Sequence, residues 1–234
     1  MSLDARHRNL LTSLVLVSPL FVIYQVGVLF TLPMINGADF LTTFLLRKLG
    51  LPLSGYLAFV GAVFVLLLLS VKLLSRRQSF EKRVIVPVLL ESTFYALTMG
   101  SFIVFVMTDV MGISPRLAGG LPAEGAVTRL VMSVGAGLYE ETVFRLGLCT
   151  LLVWLFGRVF GWTRWLAVMM AFLLSSIAFS AMHHIPPYGD PLSIGVFTFR
   201  VLAGLVFAAL FWFRGFAVAV YTHALYDIYV LLIR

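Results

Sequence analysis

The chain has 234 residues, of which 61% are hydrophobic and 12% charged, and its mean hydropathy is +1.05. Soluble domains carry roughly 45–50% apolar and 25% charged residues, so this composition excludes a water-soluble enzyme or binding module and predicts a polytopic membrane protein. The formal charge of +7 does not point to nucleic acid, because Lys and Arg cluster between apolar stretches, as topology signals and headgroup contacts do.

A basic N-terminus with Arg6 and Arg8 leads into an apolar run over about 10–33. The run is too long for the apolar region of a signal peptide and no small-residue cleavage site closes it, so a retained first span is expected. Residues 36–53 mix Asp39, Arg47 and Lys48 with Phe and Leu, which suits an amphipathic helix at the interface. A second span is expected at about 54–71, followed by the most basic connection, with Lys72, Arg76, Arg77, Lys82 and Arg83. The third span, about 84–110, contains Glu91 near that connection, where it would snorkel or pair with Arg83.

A Gly- and Pro-rich loop over 111–124 reads as irregular chain, and the fourth span covers about 126–156. A turn with Arg158, Trp162, Arg164 and Trp165 suits a membrane interface and leads to the fifth span, about 165–184. Residues 185–191 hold three prolines and cannot stay helical; spans six (192–213) and seven (216–233) then follow, split by Arg214 and Gly215. With no internal repeat and no linker, the expectation is one all-α domain over 1–234, a bundle of about seven spans with its motifs in about 126–233. The single cysteine, Cys149, is a small packing residue.

The basic N-terminus and the 72–83 connection belong on the cytoplasmic side, and two crossings separate them, which agrees with the span count. Arg158 and Arg164 then also fall inside, whereas Arg47 and Lys48 fall outside. A short multi-pass chain without organelle signals suits a prokaryotic plasma membrane with its N-terminus in the cytoplasm.

The fourth span contains Tyr139-Glu140-Glu141-Thr142-Val143-Phe144-Arg145. Ionisable groups inside a membrane helix are expensive and by default mark function. Glu141 and Arg145 are four apart and can form an ion pair. Glu140 is turned about 100° away on an α-helix, with Phe144 as its same-face neighbour. An unpaired carboxylate in such a place is a candidate general base or acid. Gly135, Ala136 and Gly137 just before it let another helix approach closely.

Counting from the 158–164 turn, Glu140 lies 18 residues before Arg158 and His183 lies 19 residues after Arg164. At 1.5 Å per residue both stand roughly 27 Å from that turn, so adjacent antiparallel helices bring them to one depth. His223 and Asp227 are four apart, so the aspartate can hold the histidine. A carboxylate and an imidazole together can activate water, and a second polar pair can stabilise an oxyanion. The sum describes water-driven hydrolysis of an amide bond within the membrane. His184 points elsewhere, and Ser175, Ser176 and Ser180 are expected to satisfy carbonyls of their own helix.

Three motifs carry a resemblance: Glu140-Glu141-x-x-x-Arg145, Phe179-x-x-x-His183 and His223-x-x-x-Asp227. In this order on successive apolar helices they resemble the CAAX prenyl protease and bacteriocin-processing group of glutamate-type intramembrane proteases, over about 135–228. The resemblance implies that Glu140 and His183 activate the water, that His223 and Asp227 form the oxyanion site, and that Glu141 and Arg145 support them. It implies no metal and no other cofactor. Asn is the other residue this motif takes at position 227. Asp227 donates to an oxyanion only as the neutral acid; otherwise it orients His223, which becomes the sole side-chain donor. The partners expected are a membrane-associated protein or peptide substrate and the lipid bilayer, with no nucleic acid and no oligomeric state implied. The substrate is cut in CAAX fashion at its C-terminus or loses a C-terminal sorting tail. Two other classes fit the same residues: a non-catalytic scaffold or bacteriocin-immunity protein, and a proton- or metal-coupled carrier. The absence of a His-Glu-x-x-His run and of matching broken helices speaks against the carrier.

Overall fold

The computed structural model describes residues 9–76, 79–115, 125–185 and 190–233, and these are all-α with no strand. Among the described residues seven membrane-spanning helices follow one another: α1 (Leu10–Thr31), α2 (Leu53–Leu74), α3 (Lys82–Val110), α4 (Ala126–Val159), α5 (Arg164–Met182), α6 (Ile194–Arg214) and α7 (Phe216–Ile233). The expected loops at 111–124 and 185–191 lie partly outside the described residues, at 116–124 and 186–189.

Local chemistry sets the helix ends. The Asn9 side chain caps α1 by accepting the Thr12 N–H at 3.2 Å, and Ser193 caps α6 by accepting that of Val196, also at 3.2 Å. Between α6 and α7 a single residue, Gly215, turns the chain at φ 103°, a conformation that a side chain would strain.

The last helix is the hub: α7 packs on α1, α3, α4 and α6. It does so through small residues, with Ala217, Val218, Ala219, Val220 and Ala224 all buried. Large apolar side chains such as Leu66, Leu90, Phe94 and Trp165 point outward, as a lipid-facing surface requires. Along α2 the buried residue is Tyr56, whose hydroxyl donates to Gln25 Oε1 of α1 at 2.6 Å. Cys149 packs with Val168, Ala171, Phe172 and Ala208 in a small cluster between α4, α5 and α6.

Two sequence expectations change. The 36–53 stretch is not one interfacial helix but a tucked-in turn, a short helix Phe40–Thr43 and a π-wound turn Phe44–Lys48. Asn36 and Asp39 are buried there, Asp39 capping the short helix by accepting the Thr42 N–H at 3.0 Å. Burial pushes the Asp39 carboxyl above the usual carboxylate range. Glu91 pairs not with Arg83 but with Arg214, whose Nη2 donates to its Oε2 at 2.9 Å. Arg83 is eight residues away, more than two helical turns, whereas Arg214 ends α6, which packs on α3.

Candidate active site

The site is built where α4 lies against α7 and α5. Gly135 and Gly137 make the approach possible. A Cβ on Gly135 would sit 2.3 Å from the Tyr24 ring of α1, and one on Gly137 would sit 2.6 Å from the Val220 carbonyl oxygen of α7. Over Ala136–Cys149 the helix widens into π winding, so the 100° step of an α-helix does not apply to the two glutamates. Threonine hydroxyls accompany the widening: Thr142 Oγ1 donates to the Leu138 carbonyl at 2.6 Å, and Thr150 Oγ1 to that of Arg145 at 3.2 Å. Such back-bonding competes with the helix ladder, and π turns of this kind occur often at functional sites.

Glu141 and Arg145 are fully buried and pair at 3.2 Å between Oε1 and Nη1. The guanidinium also donates from Nη2 to the Gly204 carbonyl at 3.2 Å and lies 4.5 Å over the Phe179 ring. The same Glu141 oxygen accepts a hydrogen bond from His223 Nδ1 at 2.8 Å. Phe207 stacks on the other side of that imidazole, 4.3 Å between centroids. His223 is thus oriented chiefly by Glu141. Asp227, expected from its spacing to hold the histidine, stands 3.7 Å from Nε2. The reason is reach: Glu141 meets the inner nitrogen inside the α4–α7 contact, while Asp227, one turn on, sits toward the open side.

Glu140 turns the other way, toward α5. Its Oε2 is 3.5 Å from His183 Nε2 and 3.8 Å from His223 Nε2. His183 follows the last turn of α5, and its Nδ1 donates to the Phe179 carbonyl at 2.8 Å. A carbonyl can only accept, so Nδ1 carries the proton and a neutral His183 presents its Nε2 lone pair to Glu140. The His183 side chain is 28% exposed and that of Asp227 26%, against 8% for Glu140. These two residues form the rim and Glu140 the floor.

All six residues singled out from the sequence meet in this cluster. His184 stays outside it: Nδ1 donates to the Asp190 carbonyl at 2.9 Å, and the ring stacks on Phe197. Ser175 bonds the Phe172 carbonyl of its own helix. Ser180, expected to do likewise, donates instead to Phe197 of α6 at 2.9 Å. Ser176 makes no hydrogen bond among the described residues and packs where Gly204 brings α6 close.

One residue of the cluster was not singled out. Asn36 Nδ2 donates to Glu140 Oε1 at 3.1 Å, so Glu140 is not the unpartnered carboxylate that the spacing suggests. The crossing count puts the 36–53 stretch on the same membrane side as His183, but nothing in the sequence separates Asn36 from its polar neighbours. Among the described residues, no three His, Cys, Asp or Glu side chains are grouped so as to hold a metal ion.

Residues 122–229 match the family model described as Type II CAAX prenyl endopeptidase Rce1-like. No curated protein and no solved structure matches the chain. The matched stretch runs from before α4 almost to the end of α7 and contains the glutamate pair, both histidines and Asp227. Over that stretch the chain is similar, at the level of the family, to the Rce1-like CAAX proteases of the CPBP group.

Proposed function

We propose that the chain hydrolyses a peptide bond of a membrane-associated substrate, with Glu140 as general base. The observation that supports this most is the facing of Glu140 Oε2 and His183 Nε2 across 3.5 Å, beside a second carboxylate that is already engaged with Arg145 and His223. A water lying between them donates one hydrogen to Glu140 and one to the Nε2 lone pair of His183. As its oxygen attacks the carbonyl carbon, one proton passes to Glu140 and the carbonyl electrons move onto oxygen. Glu140 then returns the proton to the leaving nitrogen, the C–N bond breaks, and an acid and an amine result. His223 and Asp227 face the developing oxyanion. Because Nδ1 of His223 serves Glu141, His223 donates from Nε2 only as the imidazolium, and Asp227 only as the neutral acid.

The cluster itself needs no metal, and chelators should leave the activity in place. The substrate loses C-terminal residues in CAAX fashion or a C-terminal sorting tail. The membrane is a prokaryotic plasma membrane with the N-terminus inside. The basic residues Lys72, Arg76, Lys82, Arg83, Arg158, Arg164 and Arg214 share one side under that orientation. The cluster then opens toward the opposite, outer side, which favours an exported substrate.

The test compares protein termini by mass spectrometry in cells carrying the wild type, a deletion or Glu140→Gln. Gln keeps the size and removes the base. The expected result is a set of new termini lost equally in the deletion and in Glu140→Gln, a fall of about 100-fold or more. Termini that persist in Glu140→Gln but vanish in the deletion would transfer the function to a scaffold.

A further inference from the structure

The motifs of the family stretch lie within 122–229, yet one hydrogen bond to the central carboxylate comes from residue 36. Asn36 is buried, with 8% of its surface exposed, and both ends of its amide are engaged. Oδ1 accepts the Ala38 N–H at 2.9 Å, and Nδ2 donates to Glu140 Oε1 at 3.1 Å. The amide orientation follows from chemistry: an N–H needs the oxygen, and a carboxylate needs the NH₂ group. The backbone is held as well, the Asn36 N–H donating to Tyr24 Oη at 3.1 Å and the Asn36 carbonyl accepting the Asp39 N–H at 3.0 Å.

We propose that Asn36 is a positioning residue for Glu140, fixing the carboxylate so that Oε1 is occupied and Oε2 alone faces His183 and His223. The last torsion of a glutamate is soft and roughly two-fold. Without the amide, the plane of the carboxylate turns freely and Oε2 is no longer held at 3.5 Å from His183 Nε2. Such loss of orientation lowers the rate of the chemical step without weakening substrate binding. The catalytic unit therefore extends beyond the matched stretch: the turn after α1, anchored on Tyr24, supplies part of it. This inference rests on the proposed role of Glu140 as base.

The test uses the purified full-length chain in detergent, with a quenched-fluorescent peptide spanning a cleavage site found in the comparison of termini. Asn36→Ala removes the amide. Asn36→Asp keeps the shape and the oxygen for Ala38 but puts an acceptor against Glu140. Tyr24→Phe loosens the anchor of the turn and leaves the amide donor in place. The expected result is a fall in kcat of about 10- to 100-fold for both Asn36 variants, with KM within about two-fold of the wild type and a loss of kcat out of proportion to the fall in melting temperature that stranding the Ala38 N–H brings. Tyr24→Phe should cost much less in kcat than either. If Asn36→Asp does not fold, Asn36→Ala decides by the same readings. Wild-type kcat in Asn36→Ala, with Glu140→Gln inactive, overturns the positioning role alone. So does an equal loss in Tyr24→Phe, or a loss of kcat that tracks melting temperature, since either marks a purely structural turn. An active Glu140→Gln overturns the catalytic reading itself, and this inference with it.

Discussion

Two adjacent glutamates have different neighbours, and the proposed division of roles between them rests on that difference. Glu141 is enclosed: its Oε1 meets both Arg145 at 3.2 Å and His223 at 2.8 Å. Glu140 faces imidazoles and an amide, with no arginine among its hydrogen-bond or ion-pair partners in the described residues. Removing one partner of a buried ion pair strands the other charge and costs about 3–5 kcal/mol. Glu141→Gln should therefore lose activity and melt about 10 °C lower. Glu140→Gln should lose activity with its melting temperature nearly unchanged. A thermal-shift comparison of the two variants in detergent separates the roles, and equal melting temperatures would remove the structural role of Glu141. The aromatic residue of the second motif has its own reason to be present. Phe179 touches Arg145, His183 and Phe144 at once, and its carbonyl fixes the tautomer of His183.

At the scale of elements, the site depends on how closely α7 can lie on α4. Gly137 has no room for a methyl group: its added Cβ would meet the Val220 carbonyl at 2.6 Å and the Ala224 Cβ at 2.7 Å. Gly137→Ala must push α7 outward, carrying His223 away from Glu141 and Glu140. Overpacking of this kind costs about 1–3 kcal/mol, so lower stability and a loss of activity are expected. Gly61 of α2 has nothing within 4 Å of its added Cβ. There Gly61→Ala should be neutral or slightly stabilising, since Ala favours a helix by up to about 1 kcal/mol. Melting temperature and peptide cleavage measured on both variants check the pair. If Gly137→Ala matches the wild type, the close approach is not what holds the cluster. The α2 helix contrasts with α7: Tyr56 is its one fully buried residue among those described, Val60 packs on the core from its edge, and a hydrogen-bonded chain from Tyr56 through Gln25 to Tyr139 ties it to the bundle.

For the whole molecule, the seven crossings place the turn after α1 and the end of α5 on the same side, where Asn36 and His183 converge on Glu140. Charge then sets the proposed orientation. With Cys149 buried, single cysteines introduced at exposed points report sidedness cleanly. Leu192→Cys, before α6, should react with a membrane-impermeant thiol reagent added to intact cells. Ser75→Cys, after α2, should react only once the membrane is opened. The reverse pattern would turn the site toward the cytoplasm and favour an intracellular substrate.

The class of fold and most of the cluster are legible in composition and spacing. Span length follows from unbroken apolar runs, and the cost of a charge in lipid is enough to single out Glu140, Glu141 and Arg145. Counting residues from one turn sufficed to predict that Glu140 and His183 meet, because rise per residue converts position into depth. Depth is the one coordinate such counting supplies. Which face of one helix meets which face of another is set by side-chain packing between distant segments. Packing between such segments therefore makes Glu141 rather than Asp227 the residue that orients His223, sets Arg214 rather than Arg83 against Glu91, and brings Asn36 across from the first turn to Glu140. The π winding of α4 belongs with these, since it accompanies the close approach of α1 and α7 at Gly135 and Gly137, contacts 80 or more residues away along the chain for Val220 and Ala224.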